Sequence, residues 1–65
     1  MFLKIGRNEY LVHTVEEARF VYNHARDEAN EGASTFPDGV LLEDNTKIGI
    51  ISYNGRAWKL DGSEY

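Results

Sequence analysis

His24, Asp27 and Glu28 stand three and four residues apart, the spacing that sets side chains on one face of a helix and could bind a divalent metal weakly. Two carboxylates and a single imidazole make a poor zinc site without a second histidine, and solvated charge is the ordinary outcome of such a cluster. His13 and His24 are of the right type for proton transfer, but neither has a nucleophile near it in sequence. Gly32-Ala33-Ser34-Thr35 has a phosphate-loop flavour, yet it closes a helix instead of opening one, so the dipole there has the wrong sign for an anion. The residues predict a non-enzymatic protein with no cofactor and no metal.

What remains is binding chemistry, and two sets of residues offer it. The first lies on the helix expected between Thr14 and Gly32. Laid out at 100° per residue, Val15, Ala18, Val21, Tyr22, Ala25 and Ala29 form an apolar stripe suited to lying on a sheet. The opposite arc carries Glu16, Glu17, His24, Asp27, Glu28 and Glu31, with Phe20 in its middle. Three readings of that ring are open: the connection at 33–39 folds over it, it stands exposed without a role, or it is an anchor for a partner, steered by the surrounding carboxylates. Glu16, Glu17, Phe20, Asp27, Glu28 and Glu31 are the candidate partner-binding residues, and a protein with a basic surface is the partner they suit. The second set is Tyr53, Arg56 and Trp58, aromatic and basic residues on strands, the pattern of platforms that stack single-stranded bases. Overall acidity and the expectation that Trp58 packs beneath the helix both oppose direct nucleic-acid binding.

Elements to position these groups follow from local signals. Thr14-Val15-Glu16-Glu17 is a capping box, in which Thr14 accepts the Glu17 amide and Glu17 reaches back to the Thr14 amide; Gly32 supplies a left-handed stop. Phe2 to Ile5 and Tyr10 to Val12 read as a hairpin turned by Gly6 and Asn8. Val40 to Leu42 read as a third strand, followed by a turn at Glu43-Asp44-Asn45. Asn54-Gly55 between Lys47 to Tyr53 and Arg56 to Leu60 signals a two-residue type I′ turn. That loop pairs Tyr53 with Arg56, Ile51 with Trp58 and Gly49 with Leu60 on the face expected under the helix, with the Trp58 ring across Gly49. Ser52 pairs with Ala57, Ile50 with Lys59 and Ile48 with Asp61 on the other face. Ile48 and Ile50 are then left uncovered unless the sheet curls over them, so a homodimer or other assembly built on these two residues is the rival to the acidic-face reading. Asp61 to Tyr65 reads as a frayed tail.

At 65 residues with no cysteine, the chain is expected to be a single domain, 1–65, held by packing or self-association, since a domain this small buries only about 60% of its unfolded surface. The fold predicted is α+β, in ββαβββ order, an antiparallel sheet of four to five strands with one helix packed on one face. The net charge is −4, with five acids on the helix against Lys4, Lys47, Arg56 and Lys59 in strands. No leader-like or membrane-spanning stretch is visible, and the chain reads as a whole, soluble, cytoplasmic gene product without membrane contact. Gly32-Ala33-Ser34-Thr35-Phe36-Pro37 and Ile51-Ser52-Tyr53-Asn54-Gly55-Arg56-Ala57-Trp58 resemble strings found in small proteins of bacteriophages and proteobacteria. In size, acidity and stand-alone form the chain also resembles phage anti-CRISPR proteins. That resemblance implies an inhibitor that presents carboxylates where a nucleic-acid-handling complex expects phosphates.

Overall fold

The computed structural model describes residues 1–65. The elements run β1 (Phe2–Ile5), β2 (Asn8–Leu11), α1 (Val15–Ala29), β3 (Gly39–Glu43), β4 (Thr46–Ile51) and β5 (Ala57–Lys59). All strands join one antiparallel sheet in the order β2-β1-β3-β4-β5, the α+β arrangement expected.

The Thr14 hydroxyl accepts the Glu17 N–H at 3.0 Å, satisfying an amide that the first helical turn leaves unpaired. The returning bond differs from expectation: the Glu17 carboxylate takes the His13 N–H, one residue further back than Thr14. That amide holds Glu17 below the usual carboxylate range, against a smaller opposing effect of burial. The stop also moves. Asn30 adopts the left-handed conformation (φ 55°, ψ 42°) and donates to the Arg26 carbonyl. Asparagine tolerates positive φ through its short polar side chain, so the helix ends before Gly32. The Gly32 carbonyl instead accepts from the Thr35 and Phe36 amides, closing a turn that aims Phe36 inward.

Tyr22 is the centre of the core, fully buried among Leu3, Ile5, Val12, Ala18, Phe36, Leu41, Ile51 and Ala57. Its ring meets Phe36 edge-on at 5.5 Å and its hydroxyl donates to the Pro37 carbonyl at 3.0 Å, so nothing polar is left unpaired on it. Burial raises its pKa. Gly39 is the floor beneath the ring: a Cβ there would lie 2.8 Å from Leu3 Cδ1 and 3.0 Å from Tyr22 Cδ1.

The hairpin turns differ most from expectation. The first is Gly6-Arg7 alone, since Ile5 pairs with Asn8. The turn with two consecutive left-handed residues is Asp44-Asn45 (φ 52° and 65°), between Glu43 and Thr46. At Asn54-Gly55 only Gly55 has positive φ (88°). Gly55 N–H donates to Ser52 O at 2.8 Å and Ser52 N–H to Arg56 O at 2.9 Å, so the loop spans three residues, Tyr53, Asn54 and Gly55. One extra loop residue slips the register by one. The pairs are Gly49 with Lys59, Ile50 with Trp58 and Ile51 with Ala57, in place of Ile51 with Trp58, Gly49 with Leu60, Ile50 with Lys59 and Ser52 with Ala57. Small Ala57 therefore lies under the helix beside Ile51, and Trp58 joins Ile50 on the far face.

Two further corrections concern apolar residues. Leu41 pairs with Gly49 and Leu42 with Lys47, which leaves Ile48 as the extra residue of a bulge, packed against the core instead of stranded on the far side. The tail is not frayed. Lys59 N–H donates to Ser63 O at 2.7 Å and Tyr65 N–H to Ala57 O at 3.1 Å, laying 63–65 along the outer edge of β5. Tyr65 packs beside Gly49, where Trp58 was expected, and its hydroxyl donates to Ile48 O at 2.9 Å.

Candidate functional site

Helix α1 lies on the sheet with two unlike flanks. On the β4–β5 side, Arg19 Nε donates to the Gly55 carbonyl at 2.9 Å and Arg26 Nη1 to the Tyr53 carbonyl at 2.6 Å. The Arg26 guanidinium also sits 5.5 Å from the centre of the Tyr53 ring, and the Tyr53 hydroxyl donates to the Glu31 carbonyl. The loop approaches so closely that a Cβ on Gly55 would fall 2.5 Å from Asn23 Oδ1. These contacts account for the longer loop, because it turns two carbonyls toward two arginines one helical face apart. Sequence reasoning missed Arg19 and Arg26. Their seven-residue spacing beside the apolar stripe was the available signal.

The opposite flank is open. Between α1 and the β1–β2 hairpin runs a groove of about 620 Å³, with Phe20, Val21 and Ala25 on the helix wall and Ile5 and Tyr10 on the sheet wall. Phe36 and Pro37 also line it, and besides the Tyr10 phenol Arg7, His24, Glu28 and Glu31 are the titratable groups on it. Phe20 is 73% exposed: the 33–39 connection spends its aromatic residue, Phe36, on Tyr22 and does not cover the Phe20 ring. Of the six candidate partner-binding residues, Phe20, Glu28 and Glu31 share this groove, whereas Glu16, Glu17 and Asp27 lie outside it.

The acids also differ in their partners. Glu16 lies 3.5 Å from Arg19, Asp27 3.4 Å from Arg26 and Glu28 3.5 Å from His24, while Glu17 is engaged at the cap with His13. Pairs this exposed hold each other weakly, about 0–1 kcal/mol, so a stronger cation would displace them. Glu31 has no ion pair. His24, Asp27 and Glu28 do not come together as ligands, since Asp27 turns to Arg26.

The face of the sheet away from α1 is a second uncovered surface. The register runs Leu11, Phe2 and Leu42 in one row and Lys4, Val40, Ile50 and Trp58 in the next. Phe2 is 42% and Leu11 64% exposed. Trp58 is half-buried, its Nε1 donating to Ser52 Oγ at 3.0 Å. No helix of the chain is long and apolar enough to cross a membrane.

No family model matches the chain, and no curated protein or solved structure does either.

Proposed function

We propose that the protein is a small non-enzymatic binding protein that occupies a basic surface of a protein partner with the groove side of α1. The observation that carries this reading is Phe20, a large apolar side chain exposed on the wall of an apolar groove that also carries Glu28 and Glu31. Burying such a ring in a partner stabilises a complex by roughly 1.5–3 kcal/mol, and carboxylates around it raise the rate of encounter with a basic surface. The resemblance to phage anti-CRISPR proteins makes a nucleic-acid-handling complex of the host the natural class of target, because surfaces built for phosphates are basic. The test is binding of such a complex by the parent, by Phe20→Ala and by the double charge reversal Glu28→Lys with Glu31→Lys. Weakened binding in both variants, and a parent affinity that falls as salt rises, supports the reading; unchanged binding in both removes it.

A second reading is favoured by the far face of the sheet. Val40, Leu42, Ile50 and Trp58 form a contiguous apolar patch, and a second copy of the chain would cover it. Ile50 remains in this reading, whereas Ile48 leaves it for the core. Sedimentation decides: a concentration-dependent dimer dissolved by Ile50→Ser supports assembly, and a monomer throughout removes it.

A further inference from the structure

The two edges of the sheet are treated differently. At the β5 edge the outward amide of Lys59 and the outward carbonyl of Ala57 are consumed by Ser63 and Tyr65. At the β2 edge nothing lies outside. Antiparallel partners alternate between residues that face the neighbouring strand and residues that face away. Asn8 closes the two-residue loop against Ile5, and Val12 N–H donates to Met1 O at 3.0 Å. Asn8, Tyr10 and Val12 therefore spend their main-chain groups on β1, and Glu9 and Leu11 point theirs outward. The pleat sets Tyr10 on the helix side, where it lines the groove beside Phe20, and leaves Leu11 exposed on the far side. An edge left open in this way is a template for another strand, and Glu9 is its only charged guard.

We infer that the open edge of β2 and the groove beside it form one site, which takes an extended peptide segment of the partner as an added strand. This deepens the binding function proposed above and rests on it. The main chain of the segment pairs with the Glu9 and Leu11 amides and carbonyls. Alternate side chains enter the groove against Tyr10, Phe20 and Val21, so these are apolar. Glu28 and Glu31 outnumber Arg7 on the groove, so the flanking residues of the segment on the groove side are Lys or Arg. This is strand addition, in which the backbone supplies affinity and the alternate side chains supply selectivity.

The probe is the short peptide acetyl-Lys-Thr-Leu-Thr-Leu-Thr-Lys-amide, added at millimolar concentration to the full chain labelled with nitrogen-15. The expected result is slowing of hydrogen exchange at the Glu9 and Leu11 amides by about tenfold or more, with the Asn8 and Tyr10 amides unchanged. Two N-methylated versions of the peptide carry the same side chains and charge. Methylation of the amides on the edge that meets β2 abolishes the effect, and methylation of the alternate amides preserves it. Glu9→Pro, which removes one outward N–H without touching the ladder to β1, weakens the peptide as well. Equal behaviour of the two methylated peptides, or unprotected Glu9 and Leu11 amides at saturation, overturns the proposal. So does protection of those amides in the free protein that rises with concentration, since the edge would then belong to a second copy. The two readings fail separately. Unprotected amides with a partner still lost in Phe20→Ala remove the added strand and keep the binding function. Protected amides with a partner retained in Phe20→Ala do the reverse.

Discussion

One helix borders two loops, and the contrast between its flanks explains how a chain this short divides its surface. Against the β4–β5 loop, α1 spends two arginines, an asparagine and close backbone contact, and no room is left for a ligand. Against the β1–β2 hairpin it presents Phe20, Val21 and Ala25 across an open groove. Removing a group from the first flank takes away a contact that folding made. On the second flank Val21, Ala25, Tyr10, Ile5 and Phe36 still pack on the core, and Phe20, 73% exposed, is the apolar group that the fold does not use. A 65-residue domain has a stability of roughly 3–10 kcal/mol, so the closed flank and the core beneath it must supply nearly all of it.

Substitutions that separate the flanks should do so in a graded way. Tyr22→Ala has the largest expected effect: an aromatic ring lost from a full core costs about 3–5 kcal/mol, comparable with the whole stability, and thermal unfolding by circular dichroism should show little cooperative transition. Arg26→Ala comes next. It removes a charged hydrogen bond to the Tyr53 carbonyl and the contact with the Tyr53 ring, and a loss of about 1.5–3 kcal/mol should lower the unfolding temperature by several degrees. Phe20→Ala, on the open flank, should change stability by no more than about 0.5 kcal/mol while it weakens partner binding. A large loss of stability in Phe20→Ala would erase the contrast, because the ring would then belong to the fold.

The smallest effect is a pH dependence at the tail. The Ser63 hydroxyl and amide both donate to the Asp61 carboxylate, at 2.6 and 2.9 Å, and hold it below the usual carboxylate range. A carboxylate whose pKa is lower in the folded chain stabilises the fold above its unfolded pKa, and that contribution disappears as pH falls through the folded value. Asp61→Asn should therefore lower stability slightly at neutral pH, with the difference from the parent disappearing as pH falls through and below the ordinary carboxylate range. Following the Tyr65 ring by NMR during an acid titration would show whether the tail leaves β5 in the same window. Tail release in the parent at neutral pH would contradict this account.

Much of the fold is legible in local pattern. Thr14 and Glu17 mark the helix start, the 3.6-residue stripe finds Ala18 and Tyr22, and the order of strands follows from short apolar runs between turn residues. Register is less legible because it depends on contacts between distant segments. Asn54-Gly55 suits a two-residue loop locally, but Arg19 and Arg26, more than twenty residues away in sequence, bind carbonyls that a three-residue loop presents. That single slip moves Trp58 from the helix side to the free face and parts it from Tyr53, whose ring packs on Arg26 and whose hydroxyl donates to the Glu31 carbonyl. Half-buried, with its Nε1 donating to Ser52 Oγ and without Tyr53 beside it, the indole is not part of the expected trio, so Trp58 fluorescence should stay flat on titration with a single-stranded oligonucleotide at low salt. The candidate site was legible as a set of residue types on one arc. That only Phe20, Glu28 and Glu31 of that set share a groove required knowing where the β1–β2 hairpin lies.

The central claim is that the open flank of α1, and not the free face of the sheet, is where a partner docks. The most direct measurement is the affinity of one purified nucleic-acid-handling complex for the parent, Phe20→Ala and Ile50→Ser, each shown by circular dichroism to be folded. The account predicts that Phe20→Ala binds at least about tenfold more weakly and that Ile50→Ser binds as the parent does. Loss of binding in Ile50→Ser with Phe20→Ala unaffected would contradict it and assign the interface to the sheet.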